Sequence, residues 1–380
     1  MLSKSMYQAA RAVASTVEAH FSQHFAAARA RGEQKLAPLP PAHIIESIID
    51  VTFWASLGRE EGRSPKISLA FLPPEQAGQP LVFEHQLVLS PHILIKLAPA
   101  VERPGIHLGV WYEEDRLYLW GTTQELPSGC FVLEVVEPGL LVVKHRRIGG
   151  FGKFVNVAVF KGDQVRIVDE NGTSVPDCPA VLSSLLGFAS PFSWNDSGNI
   201  LVQLAASMRA HGRGGSLLVV PSGSDSWRES IIHPIIYSVA PAFSELADLA
   251  RQDVSERKQE VWQEALRQSI EGIAGLTAVD GATIINDQYE LLAFGAKIRR
   301  PSGNTPVEQI VVTEPIIGGQ PTVVHPVQNG GTRHLSAAQF VQDQHGALAL
   351  VASQDGRFTI FTWSPCEEMV HAHRVDALLL

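Results

Sequence analysis

Ser216-Leu217-Leu218-Val219-Val220 is a short, unbroken apolar run. Strands buried on both faces read this way, whereas a strand with one wet face alternates apolar and polar residues. A strand covered twice needs helices on both sides. Just upstream, Ile200, Leu201, Leu204 and Met208 recur at helical spacing and predict a helix over 197–210, capped by Asn195, Asp196 or Ser197. Downstream, residues 241–274 contain a long helix, 283–285 read as a strand, 286–289 as a turn and 290–298 as its return. A long Pro- and Gly-rich loop, 301–330, leads to a helix over 336–345. A hairpin of 347–352 and 358–363 around Gln354-Asp355-Gly356 closes the pattern. This half alternates helix and strand.

The preceding half has another texture. Apolar residues at helical spacing (Met6, Ala10, Val13, Val17, Phe21, Phe25) predict a helix over 1–32, and 42–57 predicts a second. From residue 66 the pattern turns to strands, at 66–72, 86–89, 106–112, 116–120, 130–136, 140–144, 154–160 and 164–168. A boundary falls between Pro176 and Ser193, where Pro and Ser cluster. The division expected is therefore a strand-rich α+β domain over 1–180, an α/β domain over 190–365 and a tail over 366–380.

Composition narrows the function classes. An apolar share of 45% and a charged share of 18% describe a chain that folds into cores. Net charge is −9, which argues against direct nucleic-acid binding, since that needs Lys and Arg to displace counterions. A single basic loop can still hold a phosphate. No apolar run approaches the ~20 residues of a membrane span, and no apolar signal core opens the chain. Cys130, Cys178 and Cys366 are scattered, without metal-ligand spacing. The reading is a cytoplasmic protein with reduced thiols.

Two short stretches carry chemistry. In Asp280-Gly281-Ala282 a carboxylate stands beside residues without bulk, so a ligand can approach the backbone. A carboxylate there suits Mg²⁺ or Mn²⁺, which prefer oxygen, or the orientation of a ribose hydroxyl. In Gly330-Gly331-Thr332-Arg333-His334 a glycine-backed turn opens a helix. Backbone N–H groups, a hydroxyl and a planar guanidinium favour phosphate there, and the imidazole can take a metal or a proton. Taken singly, Asp-Gly is most often a turn and the second stretch a capped helix with solvated Arg and His. Ser353, at a strand end, reads equally as a turn residue or a phosphate contact. The basic, Gly-rich segment 146–153 is a further anion candidate, more often a solvated loop. Residues 366–373, with Cys366, His371 and His373, hold metal-capable side chains but read better as a tail helix.

In order and spacing, Ser216–Val220, Val279-Asp280-Gly281-Ala282-Thr283-Ile284-Ile285, Gly331-Thr332-Arg333-His334-Leu335-Ser336-Ala337 and Ala352-Ser353-Gln354 resemble the diadenylate cyclase domain of the DNA-integrity scanning (DisA) type, from about residue 197 to 363. The N-terminal half resembles the probable sensor domain DACNV. The resemblance implies a mixed, mainly parallel sheet wrapped by helices. It implies condensation of two ATP to cyclic di-AMP and two pyrophosphates with Mn²⁺ or Mg²⁺, at the face of a homodimer or higher homo-oligomer. Carried over, Asp280, Arg333 and His334 are catalytic, and Gly281, Ala282, Gly331, Thr332 and Ser353 bind the nucleotide. Asp280 and His334 hold the metal. One departure stands out: Leu335 occupies the place of the family's second arginine. The alternative is therefore a catalytically degenerate sensor that binds ATP or cyclic di-AMP without turnover.

Overall fold

Alternation within the strand Gly215–Val220 decides where the second core forms. Leu217 and Val219 point into one apolar cluster, with Leu204 and Met208 from one helix and Ile270 and Ile273 from another. Leu218 and Val220 point the other way, against Ala337, Phe340 and Val341. Every residue of the strand is buried, so the continuous apolar run is a strand covered on both faces.

The computed structural model describes residues 6–30, 32–33, 35–113, 116–146, 154–169, 197–252 and 260–380. The chain divides into two compact units, Met1–Val168 with Leu380, and Asp169–Leu379. The boundary expected within 176–193 lies outside the described residues. So do Cys178, the helix-cap candidates Asn195 and Asp196, and residues 147–153 of the basic segment.

In the first unit, helices α1 (Gln8–Ala30) and α2 (Ala42–Ser56) precede β1 (Ser68–Phe71), β2 (Leu81–Val88), α3 (Pro91–Leu97), β3 (His107–Glu113), β4 (Arg116–Thr123), β5 (Phe131–Glu137), β6 (Leu140–Arg146), β7 (Phe154–Lys161) and β8 (Gln164–Ile167). The sheet order is β2-β4-β3-β1-β5-β6-β7-β8. Among the described pairs only β1–β3 is parallel. Residues of α1 and α2 at helical spacing (Val13, Val17, Phe21, Ile45, Ile49) bury one sheet face together with Leu69, Phe131 and Leu133.

In the second unit, α4 (Ser197–Ala210), β9 (Gly215–Val220), β10 (Tyr237–Phe243), α5 (Glu245–Arg251), α6 (Glu260–Leu276), β11 (Ala282–Asn286), β12 (Leu291–Ala296), β13 (Ile310–Thr313), β14 (Thr322–Val324), α7 (Pro326–Asn329), α8 (Thr332–Asp343), β15 (Leu348–Ala352), β16 (Phe358–Ser364) and β17 (Met369–Arg374) follow. Their order is β10-β12-β11-β9-β15-β16-β17-β13-β14. The α+β reading holds, with two mixed sheets. The second sheet is not mainly parallel, however: β9–β11 and β13–β17 run parallel and the other pairs are antiparallel. The tight returns β11–β12, β15–β16 and β16–β17 force this, because a short turn can join only antiparallel neighbours.

The long helix expected within 241–274 is Glu260–Leu276, preceded by the edge strand Tyr237–Phe243 and the short helix Glu245–Arg251. Two local expectations are corrected. The loop expected over 301–330 contains β13, β14 and α7. The segment read as a tail helix is strand β17, held between β16 and β13. His371 and His373 do share a face, as extended backbone requires. They are buried, with His371 Nε2 at 3.0 Å from Glu367, and His373 at 2.8 Å from Thr313 and 3.1 Å from Thr362.

Candidate functional site

Register brings the two chemical stretches to one end of the second sheet. β11 runs parallel to β9 with Ala282 beside Ser216. Asp280 lies two residues before β11, in the bend that leads into this same end of the sheet. β15 runs antiparallel to β9 with Ala352 beside Gly215, so its C-terminal end, leading to Ser353, meets the same edge. Helix α8 starts over this edge. Arg333 reaches back across it: a Cβ added to Gly214 would lie 2.9 Å from Arg333 Nη1 and 3.2 Å from the Ala352 carbonyl oxygen. The absence of a side chain at Gly214 is what admits the guanidinium.

Asp280 is 93% exposed and its carboxylate oxygen lies 2.6 Å from Lys297 Nζ. The hydrogen bond from Lys297 is the main reason its carboxyl is held below the usual range, followed by that ammonium's charge, with a further contribution from Arg333. Asp280 and Arg333 thus sense one another although they arrive on different elements. Lys297 was not singled out from the sequence. Pairing of Ala282 with Ala296 across the hairpin sets Lys297, the residue just after β12, beside the Asp280-Gly281 bend that leads into β11.

Gly281 fixes the turn on which Asp280 is presented. Its φ is +120°, and an added Cβ would lie 2.4 Å from the carbonyl carbon of Gly295. Gly295 in turn (φ +61°) lies under Tyr237, whose ring stacks on Phe294 at 4.7 Å between centroids. Tyr237 is 46% exposed. An aromatic pair, Tyr237 exposed and Phe294 partly buried, therefore flanks the Asp280 turn, another feature the sequence reading passed over. Ala282 is buried as the first residue of β11.

The N-terminus of α8 is open. Its N-cap is Gly331, with extended backbone and no side-chain cap, and Thr332 is the first helical residue and exposed. Uncapped N–H groups at this end attract negative charge. His334 points inward instead. It is 3% exposed, its Nε2 lies 3.3 Å from Thr359 Oγ1, and its ring meets Phe361 edge-on at 5.9 Å. Nδ1 faces Gly330, where an added Cβ would lie 2.5 Å away. Burial pushes the imidazole down to about 4, so it is neutral at pH 7. His334 is thus turned into the core while Asp280 is exposed, so the two candidate metal ligands sit in different surroundings. Ser353 is partly buried. Its backbone closes the 353–357 turn, and its hydroxyl donates to Asp355, lowering that carboxyl further. Leu335 is partly buried and packs against the apolar core on this side of the sheet.

The cluster at this edge is thus one carboxylate, the cations Lys297 and Arg333, and a free helix N-terminus. That charge balance suits an anion. A hard divalent cation fits through the Asp280 oxygens only if other oxygens complete its shell, as phosphates do.

Comparison with known families bears on the first unit. Residues 34–124 match the family described as probable sensor domain DACNV. The matched segment spans α2 through β4, and a sensor domain there is compatible with a regulatory part of the chain. No curated protein matches the chain. Among the described residues, no helix is long and apolar enough to cross a membrane.

Proposed function

We propose that the second unit is a nucleotide-binding domain that condenses two ATP to cyclic di-AMP, under control of the DACNV sensor segment, in a cytoplasmic homo-oligomer. The observation that supports this reading is Arg333 seated against Gly214 beside an uncapped helix N-terminus, at the end of the sheet where the Asp280 bend enters β11. Arg333 and the first N–H groups of α8 hold phosphate oxygens, with Thr332 adding a hydroxyl donor. Asp280, ionised and exposed, orients the attacking ribose hydroxyl. It is also the residue that would hold Mn²⁺ or Mg²⁺ together with the nucleotide's own phosphates, the ion supplying charge neutralisation at the α-phosphate. Tyr237 offers an aromatic face for the base. His334 acts from behind, fixing the first turn of α8 against Thr359. Two such faces must oppose each other, because each 3′-hydroxyl attacks the other subunit's nucleotide.

A second reading is a nucleotide sensor without turnover. Leu335 favours it, since the side chain that replaces the family's second arginine is built into the core. One experiment separates the two. Purified full-length protein is incubated with ATP and Mn²⁺, and products are resolved by chromatography, alongside thermal stability with and without nucleotide. Cyclic di-AMP that vanishes in Asp280→Asn supports the cyclase. Nucleotide-dependent stabilisation without product, lost in Arg333→Ala, supports the silent sensor. Neither product nor stabilisation overturns both.

A further inference from the structure

Three histidines meet in the first unit, away from the nucleotide site. His20 and His24 are one turn apart on α1, so their side chains lie on one face of the helix. His145, on β6, comes to the same point from the sheet. One ring nitrogen from each lies within 4.8 Å of the other two. Ring centroids are 4.5 Å apart for His20–His24, 5.0 Å for His24–His145 and 6.0 Å for His20–His145. Among the described residues this is the group of three His, Cys, Asp or Glu side chains that converges closely enough to share an ion.

The surroundings fit the same purpose. Phe21 stands edge-on to both His20 and His145 and leans on Phe131, so the inner wall is apolar. The Arg146 carbonyl oxygen lies 3.1 Å from His145 Nδ1. With the Nδ1 proton donated to that carbonyl, Nε2 is the acceptor nitrogen of the ring, the tautomer that a supporting hydrogen bond gives a ligating histidine. His20 and His24 are partly buried and His145 is buried, so the cluster opens to solvent on one side.

We propose that His20, His24 and His145 form a binding site for a divalent transition-metal ion, Zn²⁺ foremost. Three imidazoles, with no carboxylate in the group, select borderline cations over Mg²⁺ or Ca²⁺. Tetrahedral Zn–N bonds of ~2.1 Å set ligand nitrogens about 3.4 Å apart. The nitrogens already lie within 4.8 Å of one another, a gap on the scale of side-chain torsional adjustment. Three protein ligands leave the fourth position open, as in sites that exchange a water or small ligand. The histidines flank the matched DACNV segment and do not belong to it. The proposal gives the sensor half an input and stands independently of the nucleotide reading.

The test uses the full-length chain, stripped with a strong chelator and dialysed. Co²⁺ is titrated in as a spectroscopic reporter, and Zn²⁺ is then added in competition with a chromophoric chelator. One equivalent of Co²⁺ should give visible d–d bands of tetrahedral intensity, displaced by Zn²⁺, and Zn²⁺ should raise the melting temperature. His24→Gln and His145→Gln should each weaken Zn²⁺ by more than the roughly tenfold seen when a hydrogen bond supporting a ligand is lost, and abolish the bands. His85→Gln, an exposed histidine elsewhere in the unit, should leave both unchanged. His24 is only partly buried, so its variant keeps the comparison valid even if His145→Gln fails to fold. Absence of stoichiometric binding, or binding unchanged in His24→Gln, would overturn the proposal.

Discussion

Gly281→Ala is the substitution that most directly interrogates the site's architecture. At φ +120° a residue with a side chain is strained, and the new methyl would lie 2.4 Å from the Gly295 carbonyl carbon and 2.6 Å from its oxygen. Both neighbours are backbone, so no rotamer change relieves the overlap. Strain in such a region is worth about 1–3 kcal/mol. Relief requires β11 and β12 to part at the Ala282–Ala296 pairing, at a further cost of ~1 kcal/mol per hydrogen bond lost. The sum, about 2–4 kcal/mol, corresponds to a melting-temperature drop of roughly 5–15 °C for a unit of this size. Calorimetry on the full-length protein measures it. Gly272→Ala is the control, because Gly272 is exposed in the interior of α6 with open space where the methyl goes. That variant should gain about 0.5–1 kcal/mol. If Gly281→Ala matched or exceeded wild-type stability, the claim that the Asp280 turn is wedged against Gly295 would be wrong. The site built on that turn would then lose its frame.

Acid should weaken the second unit through His334. Its folded imidazole sits near 4, against an ordinary 6.5 in the unfolded chain, so its stabilising share is full above about 6.5 and is lost as pH falls toward 4. That gap amounts to about 3 kcal/mol, and His334→Gln should flatten the dependence of melting temperature on pH in this window. A slope identical to wild type would refute it. His107 in the first unit is buried beside Ser68 and also lowered to about 4, so His107→Gln should flatten that unit's transition in the same window. Leu335→Arg should not restore a phosphate contact. The side chain lies two residues from Arg333, roughly 200° around the helix, and packs on the core, so melting temperature should fall while nucleotide turnover does not rise. Gly331→Ser should add an N-cap hydroxyl to α8 and raise stability by a few tenths of a kcal/mol. It should also weaken ATP affinity if the free N–H groups hold phosphate, which calorimetric titration reads directly.

What could be read from the chain follows from how local each signal is. Ser216–Val220 carries its burial in its own composition, and the helix facing it carries a helical period, so both were legible. Strands β13 and β14 were not. Ile310–Thr313 is a short run inside a Pro- and Gly-rich stretch, and it is a strand because β17 lies parallel to it. β17 itself was hidden by its histidines. Val370 and Ala372 face one core while His371 and His373 occupy the other face, and a polar residue at every second position looks like a wet surface. Here that face is buried, and Thr313, Thr362 and Glu367 supply the hydrogen bonds.

The sites divide along the same line. Asp280 and Arg333 could be picked out because each stretch announces itself, a bare carboxylate turn and a glycine-backed helix start. Side-chain direction within the second stretch could not. Thr332, Arg333 and His334 are successive helical residues, separated by about 100° each, so they cannot all face one ligand. Exposure of Thr332 and burial of His334 resolve which side the site is on. The histidine triad shows the opposite case. The spacing of His20 and His24 is visible in the chain, but the third member comes from β6, and nothing local to His145 names its partners. Only the packing of α1 on the sheet brings the three nitrogens together. For that reason a metal titration on the intact protein, rather than any comparison of short motifs, is the measurement that decides whether the sensor half responds to an ion.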